Sequence, residues 1–360
     1  MAGFVLTLST LTIGCEKNRY EFSSDRYLAG SSPAHDGRLS STEAPRYIVS
    51  STERLLASTS SSSSFSSETD YSFYLIAIKP YITSEFARKP RDLSEVDRWK
   101  ATEFRQFLLY TGIVIMKSVL SKNCYNHFIS LSVAIRILTD PQLCITCNAY
   151  AKSLLVWFVS NYGILYRDEY ISYNVHNLIH FPDEVQTFGC LDNFSCFKFE
   201  NHMQKIKKKV RQSRKPLEQL SNCVFEELQL PIQPCPIIQY PVVVYKKNKE
   251  ISYLQFKSFK ISKHNNNNFA LLDSNFVVCI LDIVEENCVL YIRAQRYLNP
   301  KSFFSIPCPS EKLGIFLIYN TTNSDIIKIP VTQIYKKCIK ILLFDEVESF
   351  VTIPLLLSNN

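Results

Sequence analysis

Apolar and polar positions change their rhythm along the chain. Between about residues 76 and 235 the apolar residues recur at three- and four-residue spacing, the period of a helix. Trp99 to Leu120 is long, apolar and mostly free of breakers. Asp140-Pro141 reads as a helix start, because Asp caps free amides and Pro lacks an N–H where none is needed. Behind it Leu154, Phe158, Tyr162 and Leu165 mark one face. Tyr173 to Phe181 predicts a short helical run that stops before Pro182. Phe199, Met203, Ile206 and Val210 mark the apolar face of a further helix, turned toward a core and ending before Pro216.

From residue 236 the pattern becomes alternating, as in Tyr253-Leu-Gln-Phe-Lys257. Candidate strands are 254–262, 275–283, 287–296, 315–320, 326–333, 337–344 and 349–356, separated by Asn- and Glu-rich turns. Many short strands at regular spacing suggest a small β-barrel or sandwich. The Pro-rich stretch Pro231 to Pro236 lies in a linker. The reading is therefore α+β. A helical domain spans 76–222, a Pro-containing linker 223–236 and a β-rich domain 237–357. Residues 1–75 stand apart: eight of the ten residues from Ser58 to Ser67 are Ser, a composition that cannot offset its ordering entropy and predicts disorder.

Composition narrows the classes. Of 360 residues 46% are apolar and 20% charged, enough for a core. No apolar run is long enough to cross a membrane. The apolar start, Met1 to Cys15, has no basic region and is interrupted by Thr and Ser, which argues against a secretory signal. Twelve scattered cysteines, several inside apolar runs such as Val277-Val278-Cys279-Ile280, read as buried small hydrophobes in a reduced, intracellular setting. The net charge is +7, and the run 205–215 alone holds seven cations and no acid: Lys205, Lys207, Lys208, Lys209, Arg211, Arg214 and Lys215.

That run can lie along phosphates without reading bases; the plainer reading is a solvated basic face. Glu200, at the start of the same helix, either complements the helix dipole or is a metal-binding carboxylate. One glutamate cannot hold the two cations of metal-assisted phosphoryl transfer. Asp183, Glu184 and Asp192 are the acids near it in sequence. Cys144 and Cys147 with His176 and His180 have zinc-compatible types, although the gap between the pairs exceeds that of a finger. Both pairs could instead be core, and His127 reads as a satisfied core histidine. With 8 glycines there is no phosphate-cradling loop, and the chain has no nucleophile triad or Rossmann fingerprint.

An ordered series of motifs between about 83 and 220 carries a resemblance. They are Arg88-Lys-Pro-Arg-Asp-Leu93, Trp99-Lys-Ala-Thr-Glu-Phe-Arg-Gln-Phe-Leu-Leu-Tyr-Thr-Gly112, Tyr125-Asn-His-Phe128, Tyr173-Asn-Val-His-Asn-Leu-Ile-His180, Phe188-Gly-Cys-Leu-Asp192, Phe199-Glu200 and Arg214-Lys-Pro-Leu-Glu218. This stretch resembles the C-terminal part of CACTA (En/Spm-like) DNA transposases, and 237–357 is similar to the segment C-terminal to that part in animal relatives. The resemblance implies an RNase H-like core with three acidic residues, the last matching Glu200, and a Cys/His insertion matching Cys144, Cys147, His176 and His180. The upstream domain with the first two aspartates has no counterpart here.

The expectation is a transposase-derived fragment that is not an enzyme. It would bind DNA non-specifically through 205–215 and assemble with a full-length transposase. It would sit in the nucleus or cytoplasm, with no membrane and no small-molecule substrate. No cofactor is required; zinc is possible at the Cys/His set, and a divalent metal belongs only to an intact transposase. The alternative is a protein- or chromatin-interaction module in 237–357, with Tyr253, Phe256 and Phe259 as a cage for a cation or as ordinary core.

Overall fold

The computed structural model describes residues 74–229, 238–264, 266–319, 324–343 and 349–356. The Ser-rich expectation therefore falls outside the described residues, except that 74–77 are helical and Leu75 is buried. Helix α1 (Ala101–Gln106) passes through a π-helical turn, Phe107–Thr111, into α2 (Gly112–Val119). The turn brings Phe107 O so close that a Cβ on Gly112 would stand 2.6 Å from it, so only glycine fits. Ser121 caps α3 (Lys122–Thr139). The Asp140 carboxylate accepts from the Gln142 and Leu143 amides at 3.0 and 3.1 Å. It thereby starts α4 (Leu143–Thr146), and α5 (Asn148–Tyr166) comes directly after.

The runs expected to end before two prolines do end there, and each proline also opens the next helix. The short α6 (Tyr173–His176) and the 3-10 turn that continues it, Asn177–His180, end before Pro182, which lies in the first turn of α7 (Phe181–Phe188). Pro216 likewise comes after α8 (Phe197–Lys209) and opens α9 (Pro216–Gln229). In a first turn the missing N–H costs nothing. Residues 223–229, expected in the linker, are thus helical, and the remainder of the linker, 230–236, lies outside the described residues.

The β part has two antiparallel sheets. Strands β1 (Val242–Tyr245), β2 (Ile251–Gln255) and β3 (Lys260–Ile261) form the smaller. The expected strand 254–262 is two short ones, split where Phe256 N donates to Phe259 O. The larger sheet uses β4 (Phe269–Leu272), β5 (Val277–Glu286), β6 (Val289–Tyr297), β7 (Lys301–Ser302), β8 (Phe316–Tyr319), β9 (Ser324–Pro330), β10 (Ile334–Leu342) and β11 (Ser349–Pro354). Its order is β7-β8-β11-β10-β4-β5-β6-β9. It does not close on itself, so the α+β chain ends in an antiparallel half-barrel.

One core runs through both parts. The largest apolar cluster joins α1 to α7 with Leu317, Ile339, Ile341, Val351 and Ile353 of the larger sheet and with Phe303 and Ile315 beside its strands. The smaller sheet packs Leu254 and Ile261 on Ala270, Val278, Ile280 and Ile292. A third cluster contains Phe269, Tyr297, Cys338 and Phe350. Polar hooks cross between the helical and β parts. Arg136, fully buried on α3, donates to Leu109 O at 3.2 Å and to Pro354 O. Lys337, with no exposed surface, donates to the Glu85 carboxylate at 2.7 and 2.9 Å, to Lys260 O at 2.7 Å and to Asn267 Oδ1 at 2.5 Å. Burial alone would raise the Glu85 carboxyl, but the charge and hydrogen bonds of Lys337 outweigh it and hold it below its usual range. Among the described residues no helix is long and apolar enough to cross a membrane.

Candidate nucleic-acid interface

Helix α8 and its connection to α9 carry the basic run, and no described side chain on either helix is buried. The connection between them is folded by one side chain. Gln219 Oε1 accepts from Arg211 N and Gln212 N at 3.1 and 3.2 Å, while its Nε2 donates to Arg214 O at 2.6 Å. Arg211 and Arg214 are thereby held at the end of α8 that Lys207, Lys208 and Lys209 occupy. Cations there also complement the negative end of the helix dipole.

Of the seven cations, two are neutralised. Lys209 meets Glu227 at 2.5 Å and Lys215 meets Glu218 at 2.9 Å. Lys205, Lys207, Lys208, Arg211 and Arg214 have no carboxylate partner among the described residues. The apolar stripe beside them is not turned to a core: Phe199 is 60% and Met203 52% exposed, while Ile206 and Val210 are half-buried. Helical period shows that an apolar face exists; it does not show what covers it.

Glu200 is exposed and makes no ion pair among the described residues. Asp183 is paired with Lys152 at 2.7 Å and Asp192 with Arg105 at 2.9 Å. Among the described residues no group of three or more His, Cys, Asp or Glu side chains is placed to hold a metal ion. The Cys/His quartet is likewise not gathered. Cys144 is buried, its thiol donating to Pro141 O at 3.4 Å and pushed up in pKa by burial. Cys147 is half-buried. His176 and His180 are both exposed at the surface, about one helical turn apart, with ring centroids at 5.7 Å. Cys144 belongs to the core and the histidines to the surface, so the residues present do not fit a zinc centre.

The aromatic trio of the β part does not form an open cage. Phe256 and Phe259 stack on each other at 4.5 Å, which leaves no space for a cation between them, and both pack on the core. The face of Tyr253 is covered by Lys260, whose Nζ lies 5.5 Å from the ring centroid. His127 is buried as expected, stacked on Phe158 at 3.9 Å. Its Nε2 lies 2.8 Å from Phe158 O, so that nitrogen carries the proton, and Nδ1 has no partner.

Sequence reasoning missed the exposed apolar residues of α9: Leu217 and Leu228, each 79% exposed, with Val224 and Phe225. The signal was present, since Leu217, Leu220, Val224 and Leu228 recur on one helical face, but the segment was assigned partly to a linker.

Comparison with known proteins leaves most of the chain unmatched. No curated protein and no solved structure matches it. Residues 236–355, about a third of the chain and nearly the whole β part, match the model of a family described as a domain of unknown function, DUF8592.

Proposed function

We propose that the chain is a non-enzymatic, transposase-derived protein that binds nucleic-acid phosphates through α8 and the connection to α9. The observation that carries this reading is the set of five cations without carboxylate partners among the described residues, Lys205, Lys207, Lys208, Arg211 and Arg214, on elements with no buried described side chain. Such side chains meet phosphates at little desolvation cost and read no base edges. The ordered CACTA-like motifs support the ancestry, and the ungathered acids around Glu200 fit a remnant without its catalytic core. A full-length transposase and DNA in the nucleus are the partners that this ancestry supplies.

The test is binding of labelled duplex DNA at rising salt. Five neutralised phosphates give a slope of log affinity against log salt of about −4 to −5. Replacing Lys205 and Lys208 together by Gln should reduce the slope by about 2, uniformly across DNA sequences. Binding that is absent at ~50 mM salt, or indifferent to salt, ends the proposal.

A further inference from the structure

On β10 the Lys340 ammonium lies over two rings, 4.3 Å from the centroid of Phe350 and 5.2 Å from that of Phe269. Tyr297 packs against both rings, and Cys279 stands directly across from Phe269 in the register of β4 and β5. Half-buried there, Lys340 has no hydrogen-bond acceptor and no carboxylate partner among the described residues. Rings attract a cation but do not replace the water that its N–H groups give up. Burial accordingly lowers the pKa of Lys340, against an opposing pull from Cys279. More of this amine is therefore free base, the nucleophilic form. Two other lysines are pushed the same way and cannot use it. Lys337, lowered to about 8, has no exposed surface and is enclosed by the acceptors of Glu85, Lys260 and Asn267. Lys89 is held by Ile82 O at 2.5 Å. Of the three, Lys340 has its amine unoccupied.

We propose that Lys340 is an acylation site whose co-reactant is an acyl thioester. The free amine adds to the thioester carbonyl and a C–N bond forms. The C–S bond then breaks, and the sulfur leaves with the proton that the nitrogen gives up. Amine and thioester thus become amide and thiol, and nothing is oxidised or reduced. A thioester suits the site because it acylates a free amine and spares a protonated one. The product suits it too. Acylation removes the charge that burial penalises, and the apolar acyl group finds the rings of Phe269 and Phe350 beside it.

The test treats the full chain with the acetyl thioester of N-acetylcysteamine, a small uncharged probe that the basic run 205–215 does not draw in. Proteolytic digestion and mass spectrometry then give the rate at each lysine. Lys340 should be acetylated at least about threefold faster than the exposed Lys205, Lys207 and Lys208. In urea, which removes the burial, that advantage should vanish. Leu342→Glu puts a carboxylate two residues along the same face of β10, where it favours the ammonium. It should slow Lys340 by about threefold or more and leave Lys205 unchanged, with circular dichroism showing that the variant is folded. Lys340 no faster than the lysines of α8 in the native chain, or equally favoured in urea, overturns the proposal. So does a folded Leu342→Glu protein that reacts at the wild-type rate. The readout is a covalent adduct, so the DNA result stands or falls separately.

Discussion

Mild acid should destabilise the protein through one side chain, His127. The ring is enclosed by Phe158, Trp157, Tyr162 and Tyr166, with centroids between 3.9 and 6.0 Å away. Nε2–H is satisfied by Phe158 O, and Nδ1 faces no acceptor. Protonation would place a charge and an unsatisfied N–H in an apolar enclosure. Burial accordingly lowers the pKa from 6.5 to about 4, against a small opposing pull from the Phe158 carbonyl. Between these values the unfolded chain binds a proton that the folded chain does not. The stabilisation is fully present above 6.5 and is lost as the pH falls toward 4. At pH ~5 the loss is about 2 kcal/mol, and its ceiling below pH ~4 is about 3 kcal/mol. Urea unfolding at pH ~7.5 and ~5 measures it, with His127→Gln as the control that keeps an N–H donor but does not titrate. The wild type should lose about 2 kcal/mol more than the variant between the two conditions. Equal losses in both proteins would refute the assignment of the acid sensitivity to this ring.

The buried pairs and the Cys/His set each give a further expected outcome. Lys337→Met or Glu85→Gln alone should cost about 3–5 kcal/mol, because each leaves a buried partner unmatched, whereas Lys337→Met with Glu85→Met should cost clearly less than the sum; additive costs in denaturant unfolding would show that the two do not act as a unit. Added zinc, or a chelator, should leave the melting temperature within about 1 °C, since a structural zinc site contributes folding energy outright; a chelator-induced fall of several degrees would mean that Cys144, Cys147, His176 and His180 do converge.

The legible parts of the chain are those where one side of an element meets the core and the other meets water. Phe158 and Tyr162 on α5 obey the helical period and are buried as it requires. Strand β4 escaped because all four of its residues, Phe269 to Leu272, are buried, so there is no alternation to read. Strand β7 has two residues, too few for any pattern. Proline was ambiguous for a physical reason: the same missing N–H that ends one helix is harmless in the first turn of the next, as Pro182 and Pro216 show. The candidate site was legible in its charges, which need no fold to be counted. It was illegible in its convergence. The spacing of Cys144, Cys147, His176 and His180 permits a tetrahedron, and only the packing of α4 and α5 against their neighbours shows that Cys144 is turned into the core.

The DUF8592-like segment ends near residue 355, yet the core around it does not. Ile339, Ile341, Val351 and Ile353 are covered by helices outside the matched segment, and the Lys337 ammonium finds its carboxylate on Glu85. A β module of this kind cannot present that face to water: the isoleucines would lose their burial, and the lysine would sit in an apolar wall without its counter-charge. The helical part is therefore its obligatory cover, and the two fold as one body. Helices α8 and α9, with no buried described side chain, stand outside that shared core. Exchanges of their lysines leave the interlock of Arg136, Lys337 and the shared isoleucines intact, so a change in DNA affinity reports on binding rather than on unfolding. The same reasoning separates the two kinds of experiment in advance: acid and denaturant act on the body through His127 and Glu85, and salt acts on the cations of α8.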